Sequence, residues 1–289
     1  MATKTVQTTD LQGLIPEELM NELIKDVTEG SVMLGLAEVK QMNSPVQNYP
    51  ITLTGPGAYV VGEGQKITTD KMTAATIELL AKKLAVNVIM SREALSDGVL
   101  NLLEEAKSQI AEAFAKKIDK CTLFDSTEFY GVGKSILERA KESGNKVVNT
   151  GKIFEDASNA MGIIEGMDLE PNAFVAPRSL KAKIRNDKTA ALNYIVEDKV
   201  AGVPAQMHGE PIVYTKGFDK TKAELVCGDF NYVYVGILDS IEYKILTEAT
   251  IGEVNLAEQD MVAIQATMRV GFLVVKEDAF SYVEPKAGV

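Results

Sequence analysis

Residues 73–90, TAATIELLAKKLAVNVIM, alternate with the period of a strand and change phase halfway. Thr73, Ala75, Ile77 and Leu79 share one face, but beyond Lys82 and Lys83 the apolar positions are Leu84, Val86, Val88 and Met90. A one-residue change of phase exchanges the buried face for the exposed one. The stretch therefore cannot be one flat strand over a single core, and a bulge or hinge is expected at Lys82. We read residues 49–90 as a long, twisted two-stranded ribbon rather than a core hairpin. Such a ribbon cannot bury itself, and it needs a neighbouring surface.

Upstream lies GAYVVGEGQK, residues 57–66. A phosphate-cradling loop requires backbone N–H groups at a helix N-terminus. Gly62 and Gly64 are followed by a strand pattern, and neither a third glycine nor a lysine-serine end is present. These glycines are expected to turn the backbone at the tip region of the ribbon.

The longest helical signal follows, with Asp97 as a candidate N-cap and a stripe of Val99, Leu103, Ala106, Ile110, Ala113 and Phe114. Glu112 and Lys116 are spaced for an i,i+4 pair. About 25 residues of helix span roughly 37 Å, enough for a spine along which other parts are arranged. Before the ribbon, residues 1–13 are polar and read as an arm. Pro16 opens a helix with Glu17 and Glu18 in its first turn, ending near Gly30. Residues 40–56 read as an extended connection with one short strand, and residues 125–151 as loop. Beyond them, KIFEDASNAMGIIEG is helical, NAFVAP is a strand, and PRSLKAKIRND is a helix with Pro177 near its first turn. GEPIVYT, KAELVCGDF, YVYVGIL and IEYKIL read as short strands, DMVAIQATMRVGFLVVK as a long one, and DAFSYVEP as the last. Helices and strands mix without regular βαβ alternation, which is an α+β pattern.

Little in the sequence points to chemistry. The single histidine, His208, sits beside Gly209 in a turn-like stretch and reads as a solvated loop residue. Cys121 and Cys227 have no paired or metal-like spacing and read as small core residues. Glu104–Glu105 lies on the polar side of the helix. No metal or cofactor motif is present, so no cofactor is expected. With 41 acidic against 30 basic side chains the net charge is −11, which repels nucleic acid and anionic membranes. Met1 to Leu19 does not read as a signal peptide, and no apolar run approaches the roughly 20 residues of a membrane helix. These negatives favour a structural or assembly role over an enzyme.

The order of the pieces resembles the major capsid protein family of tailed bacteriophages, with the Hong Kong 97-like fold. LIPEELMNELIKDVTEGSVMLGLAEV looks like the family's opening turn and helix, and GAYVVGEGQKITTDK is similar to its extended-loop approach. AKKLAVNVIMSREALSDG resembles the return strand, the turn after it and the Asp that starts the spine helix. NAFVAPRSLKAKIRNDKT looks like the strand and helix of the axial domain. MHGEPIVYT and VCGDFNYVYVGILDSIEYKI resemble its Gly-x-Pro-Val and Gly-Asp-Phe strands. VAIQATMRVGFLVVKEDAFSYV is similar to the closing peripheral strand, with Arg269 in the usual basic place. Each piece is weak alone, and their order is what is specific.

The resemblance implies an N-terminal arm (1–48), an extended loop (49–90), a spine helix (97–121) with a first peripheral part (91–151), an axial domain (152–243) and a second peripheral part (244–289). It implies a subunit that self-assembles into pentamers and hexamers of an icosahedral shell around double-stranded DNA, formed in the host bacterial cytoplasm and carried in the virion. Too few residues precede the matched region for a built-in scaffold, so the resemblance implies a separate scaffolding protein, or a chain seen after processing; a portal is the other implied partner, and no membrane partner is implied. Glu63, Lys66, Asp70 and Lys71 of the extended loop should contact the adjacent subunit, with Arg92 and Arg269 as candidate partners for its carboxylates. An encapsulin-type nanocompartment shell and a soluble hydrolase are the alternatives. Some family members cross-link an extended-loop Lys, here Lys66 or Lys71, to an Asn, here Asn255. MVAIQATMRV offers no Glu to take the amine's proton, so cross-linking is not expected. A denaturing gel of assembled particles should show only the monomer band; a covalent ladder would contradict this reading.

Overall fold

The computed structural model of the chain describes residues 30–54, 63, 66, 73–93, 100–124, 135–187 and 206–286. The helix expected to open at Pro16, the N-cap assigned to Asp97, and the loop residues Asp70 and Lys71 lie outside them.

A five-residue helix, α1 (Val32–Leu36), comes first, and its N-cap Ser31 accepts a hydrogen bond from the Leu34 N–H. Two strands, β1 (Glu38–Gln41) and β2 (Val46–Thr54), occupy the region expected to hold one. β3 (Thr73–Leu80) pairs antiparallel with β2, from Val46 opposite Leu80 to Thr54 opposite Thr73. The ribbon stops there. β4 (Lys82–Ser91) does not continue it but pairs along its whole length with β13 (Met261–Val274), so the two-stranded ribbon expected over 49–90 is shorter. Ala81 is the only residue between the two strands. Leu79 is buried with Met42 and Leu273, whereas Leu84 is buried under a helix with Ile264 and Met268. The phase change thus moves burial from one face of a sheet to the other.

That helix is α2 (Leu100–Phe124), three residues longer at its C-terminal end than the expected spine. It lies on a four-stranded sheet ordered β1-β10-β13-β4, where β10 is Val233–Leu246. Ile110, Phe114, Ile118 and Cys121 pack against Val235, Ile264, Met268 and Phe272. Ala113, expected in the stripe, is exposed, and Ala111 and Ala115 are buried in its place. Two corrections concern β10. It is one strand, not two, because continuous β13 carries it across register shifts either side of Asp239. It also reaches Leu246, past the boundary expected at residue 243.

The second body is a six-stranded sheet flanked by helices. The region expected as loop contributes α3 (Ile136–Glu142) and β5 (Lys146–Val147). α4 (Ile153–Glu165), β6 (Ala173–Pro177), α5 (Leu180–Asn186), β7 (Gln206–Met207), β8 (Glu210–Thr215) and β9 (Leu225–Gly228) follow. A small hairpin of β11 (Thr250–Ile251) and β12 (Val254–Asn255) precedes β13. The last strand, β14 (Phe280–Val283), returns to this body, giving the order β5-β14-β9-β6-β8-β7. Pro177 ends β6 opposite Thr215 rather than opening the next helix. β5 and β14, expected with the other body, belong here because Phe280, Tyr282 and Val283 fill this core. No described helix is long and apolar enough to cross a membrane.

Phe280 is fully buried and meets Phe230 edge to face, with ring centroids 5.5 Å apart. Phe280→Ala is expected to lower stability by about 3–5 kcal/mol, read as a fall in the urea midpoint of the dissociated subunit.

Candidate assembly site

One buried carboxylate joins the two bodies. Asp119 of α2 is 1% exposed. Its Oδ1 accepts hydrogen bonds from Ser31 Oγ (2.7 Å) and the Met33 N–H (3.0 Å). Its Oδ2 accepts from the Val32 N–H (3.3 Å) and from Thr215 Oγ at the end of β8. The two hydroxyls are themselves oriented, since Ser31 accepts from the Leu34 N–H and Thr215 from the Gly217 N–H. The opening segment, the long helix and the six-stranded sheet are therefore pinned at one point. Outside this joint, Lys216 pairs with Glu112, displacing the expected Glu112–Lys116 pair, and Lys222 Nζ donates to the Phe124 carbonyl at 3.1 Å. The Lys216–Glu112 pair is exposed and contributes little.

The sequence reading missed Asp119, although a signal exists. Ala111, Ala115, Asp119 and Thr122 recur at helical spacing and are all buried, so a lone carboxylate interrupts a stripe of small residues. Its named partners are all neutral, and burial pushes its carboxyl above the ordinary value of 3.8 while the four donors pull it back. The folded chain consequently holds this proton more tightly than the unfolded one. The stability it adds is fully present below pH 3.8 and is lost as pH rises through the raised folded value.

Of the predicted contact residues, Glu63, Lys66, Arg92 and Arg269 are described, and all four lie at the surface. Glu63 and Lys66 are exposed. Arg92, just past β4, pairs with Asp260 at 3.3 Å, and Arg269 on β13 pairs with Asp239 at 3.5 Å. Each expected partner for a neighbour's carboxylate thus already has one from its own chain, although both pairs stay about half exposed and open to exchange. Asn255 lies in the β11–β12 hairpin, where its Oδ1 accepts from the Ala257 N–H.

The remaining polar groups have structural roles. His208 is exposed in a left-handed turn (φ 53°), with Nε2 2.8 Å from the Phe154 carbonyl. Cys121 and Cys227 are buried, and burial pushes the Cys227 thiol up. A cleft beside α5 contains Asp156 and Glu224. Asp156 is occupied by the Thr150 N–H and hydroxyl, and Glu224 by Asn149 and Lys183. Both carboxylates are taken up by contacts within the fold. Among the described residues, no group of His, Cys, Asp and Glu could hold a metal.

The described residues form a long helix on a four-stranded sheet, a ribbon and a second sheet-and-helix body, and no metal-holding cluster is gathered among them. Comparison with known proteins identifies the family. The sequence profile of the phage capsid family matches residues 12–284. The major capsid protein of Staphylococcus phage 80alpha is 32% identical over 284 residues, covering 94% of this chain and 85% of that protein. A solved chain from Microbacterium phage Oxtober96 has the same fold, with a TM-score of 0.79 at 24% identity, covering 89% of this chain and 91% of its own. One from Mycobacterium phage Adephagia has a TM-score of 0.79 at 22% identity, covering 99% of each. The chain belongs to the phage capsid family, and its role is that of a structural capsid protein of the phage virion rather than an enzyme.

Asp119→Asn, which removes the titration, is expected to narrow the pH dependence. The urea midpoint of the unsubstituted chain minus that of Asp119→Asn should fall between pH 4 and pH 7. A difference that is flat or rises with pH would contradict the buried joint. Asp119→Ala, which strands buried N–H donors, should cost roughly 1–3 kcal/mol at any of these pH values.

Proposed function

We propose that this chain assembles into pentamers and hexamers of a closed icosahedral head, with the Hong Kong 97-like fold, that encloses double-stranded DNA. The observation that carries the reading is the ribbon. Among the described residues β2 and β3 pair only with each other, and Val46 and Leu80, opposite one another at its root, remain exposed. A two-stranded ribbon of this length is marginal alone and gains stability on a second surface. Copies of the same subunit supply that surface in a symmetric shell, where each contact is heterologous and rotation closes it into rings.

In this reading the β2–β3 ribbon with residues 55–72 is the extended arm. The four-stranded sheet with α2 is the peripheral part, and the six-stranded body is the axial part that meets its copies around five- and six-fold axes. Residues 1–48 supply the N-terminal arm, which lends β1 to the peripheral sheet and the first residues of β2 to the ribbon. Glu63, Lys66, Asp70 and Lys71 lie on the adjacent subunit, where Arg92 and Arg269 exchange Asp260 and Asp239 for a neighbour's carboxylates. The net charge of −11 suits a wall that holds DNA without adhering to it. Assembly in the host cytoplasm on a separate scaffolding protein, with a portal at one vertex, completes the proposal. Family membership removes the hydrolase alternative. The relatives compared are phage proteins, which favours a viral head over a nanocompartment.

Deleting Gly57–Met72 should leave soluble subunits that form no closed shells in negative-stain electron microscopy. Normal particles from that variant would overturn the arm.

A further inference from the structure

The ribbon rests on two glycines. Gly236 of β10 and Gly271 of β13 are cross-strand partners in the four-stranded sheet. They lie on the face opposite α2, where Met42, Leu79 and Leu273 form a small buried cluster. A Cβ on Gly271 would sit 2.5 Å from the Leu80 carbonyl oxygen and 2.9 Å from its carbon. A Cβ on Gly236 would meet Met42 Sδ and come within 2.6 Å of Leu79 Cδ2. Only a pair without side chains lets the ribbon root approach the sheet this closely.

The root is fixed at few points. The Met42 N–H donates to the Ile237 carbonyl at 2.9 Å, and the Ala81 N–H donates to the Pro45 carbonyl at 2.9 Å. Tyr49 leans edge-on against Tyr234, with centroids 5.7 Å apart. Ala81 alone separates the ribbon from β4. The nine residues of β2 span about 30 Å at roughly 3.3 Å per residue, so a small tilt at the root is magnified at the far end.

We propose that the Gly236–Gly271 pair is a seat that sets the angle at which the ribbon leaves its own subunit, and so where it lands on a second copy. This rests on the assembly reading above, and it makes the two glycines positioning residues for shell curvature. The two positions are unequal. The obstacle at Gly271 is backbone, which cannot rotate away, so Gly271→Ala must lift the root. The obstacles at Gly236 are the ends of flexible side chains, so Gly236→Ala is milder, and shortening Met42 should relieve it.

The test attaches spin labels to cysteines placed at exposed Asn48 on the ribbon and exposed Lys244 on the sheet. The native Cys121 and Cys227 are fully buried and stay unlabelled. The unsubstituted seat should give one narrow distance. Gly271→Ala should move it to longer, broader distances, with a several-fold loss of closed shells or aberrant curvature in electron microscopy. Gly236→Ala should give a smaller shift, which Met42→Ala added to it reverses. Thr267→Ala on the same strand should change neither readout. A folded Gly271→Ala subunit with an unchanged distance would overturn the seat. Should Gly271→Ala not fold, Gly236→Ala decides: a shift reversed by Met42→Ala supports the seat, and an unshifted distance overturns it. Failure of the unsubstituted protein to form shells would instead count against the assembly reading, because the distance measurement does not depend on it.

Discussion

A single helix serves two cores, and the rest of the molecule is arranged by that sharing. From Ile110 to Cys121, α2 packs on the four-stranded sheet, while Leu123 and Phe124 at its end enter the core of the six-stranded body. Between these stretches Asp119 gathers the opening segment and the end of β8 onto the same helix. A fully desolvated carboxylate is costly unless its lone pairs are filled, and here four directed donors fill them. The arrangement holds the two bodies at a fixed point without a cation. Such geometry suits a subunit that must present several surfaces in constant relation to its copies.

The ribbon answers the opposite demand. It leaves the compact part at Ala81, where burial passes from one sheet face to the other, and it rests on the sheet through a small cluster centred on Met42, Leu79 and Leu273. Two bodies joined by one shared helix, with an arm seated on a narrow contact, suit the proposed assembly, in which the same chain meets neighbours in more than one setting. Arg269 with Asp239 on the sheet, and Arg92 with Asp260 just past its strand ends, are solvated pairs that contribute little to the fold.

Local periodicity carried much of the fold into the sequence. The phase flip at Lys82 is a property of side-chain order alone, and it marks the place where the strand changes sheets. The long helix, the helix ending at Gly166 and the strand at residues 173–177 were legible for the same reason. What local pattern cannot convey is pairing. Nothing within residues 82–91 says that β13 rather than β2 is its partner, and nothing in DAFSYVEP says that it returns to the six-stranded body. Pro177 looks like a helix opener because a proline suits either a first helical turn or a strand end. Asp119 escaped because a single acidic residue in a charged helix resembles a solvated one until four donors from two distant segments converge on it. The proposed contact residues came from a family resemblance, and the four that are described, Glu63, Lys66, Arg92 and Arg269, are exposed.

The central claim is that the ribbon of one copy is completed by the surface of another. A cryo-electron microscopy reconstruction of the purified, assembled protein tests it most directly. The account predicts closed particles in which β2 and β3 of each subunit lie across the outer sheet face of its neighbour. Particles in which each ribbon folds back on its own subunit, or a preparation containing only stable monomers, would contradict it.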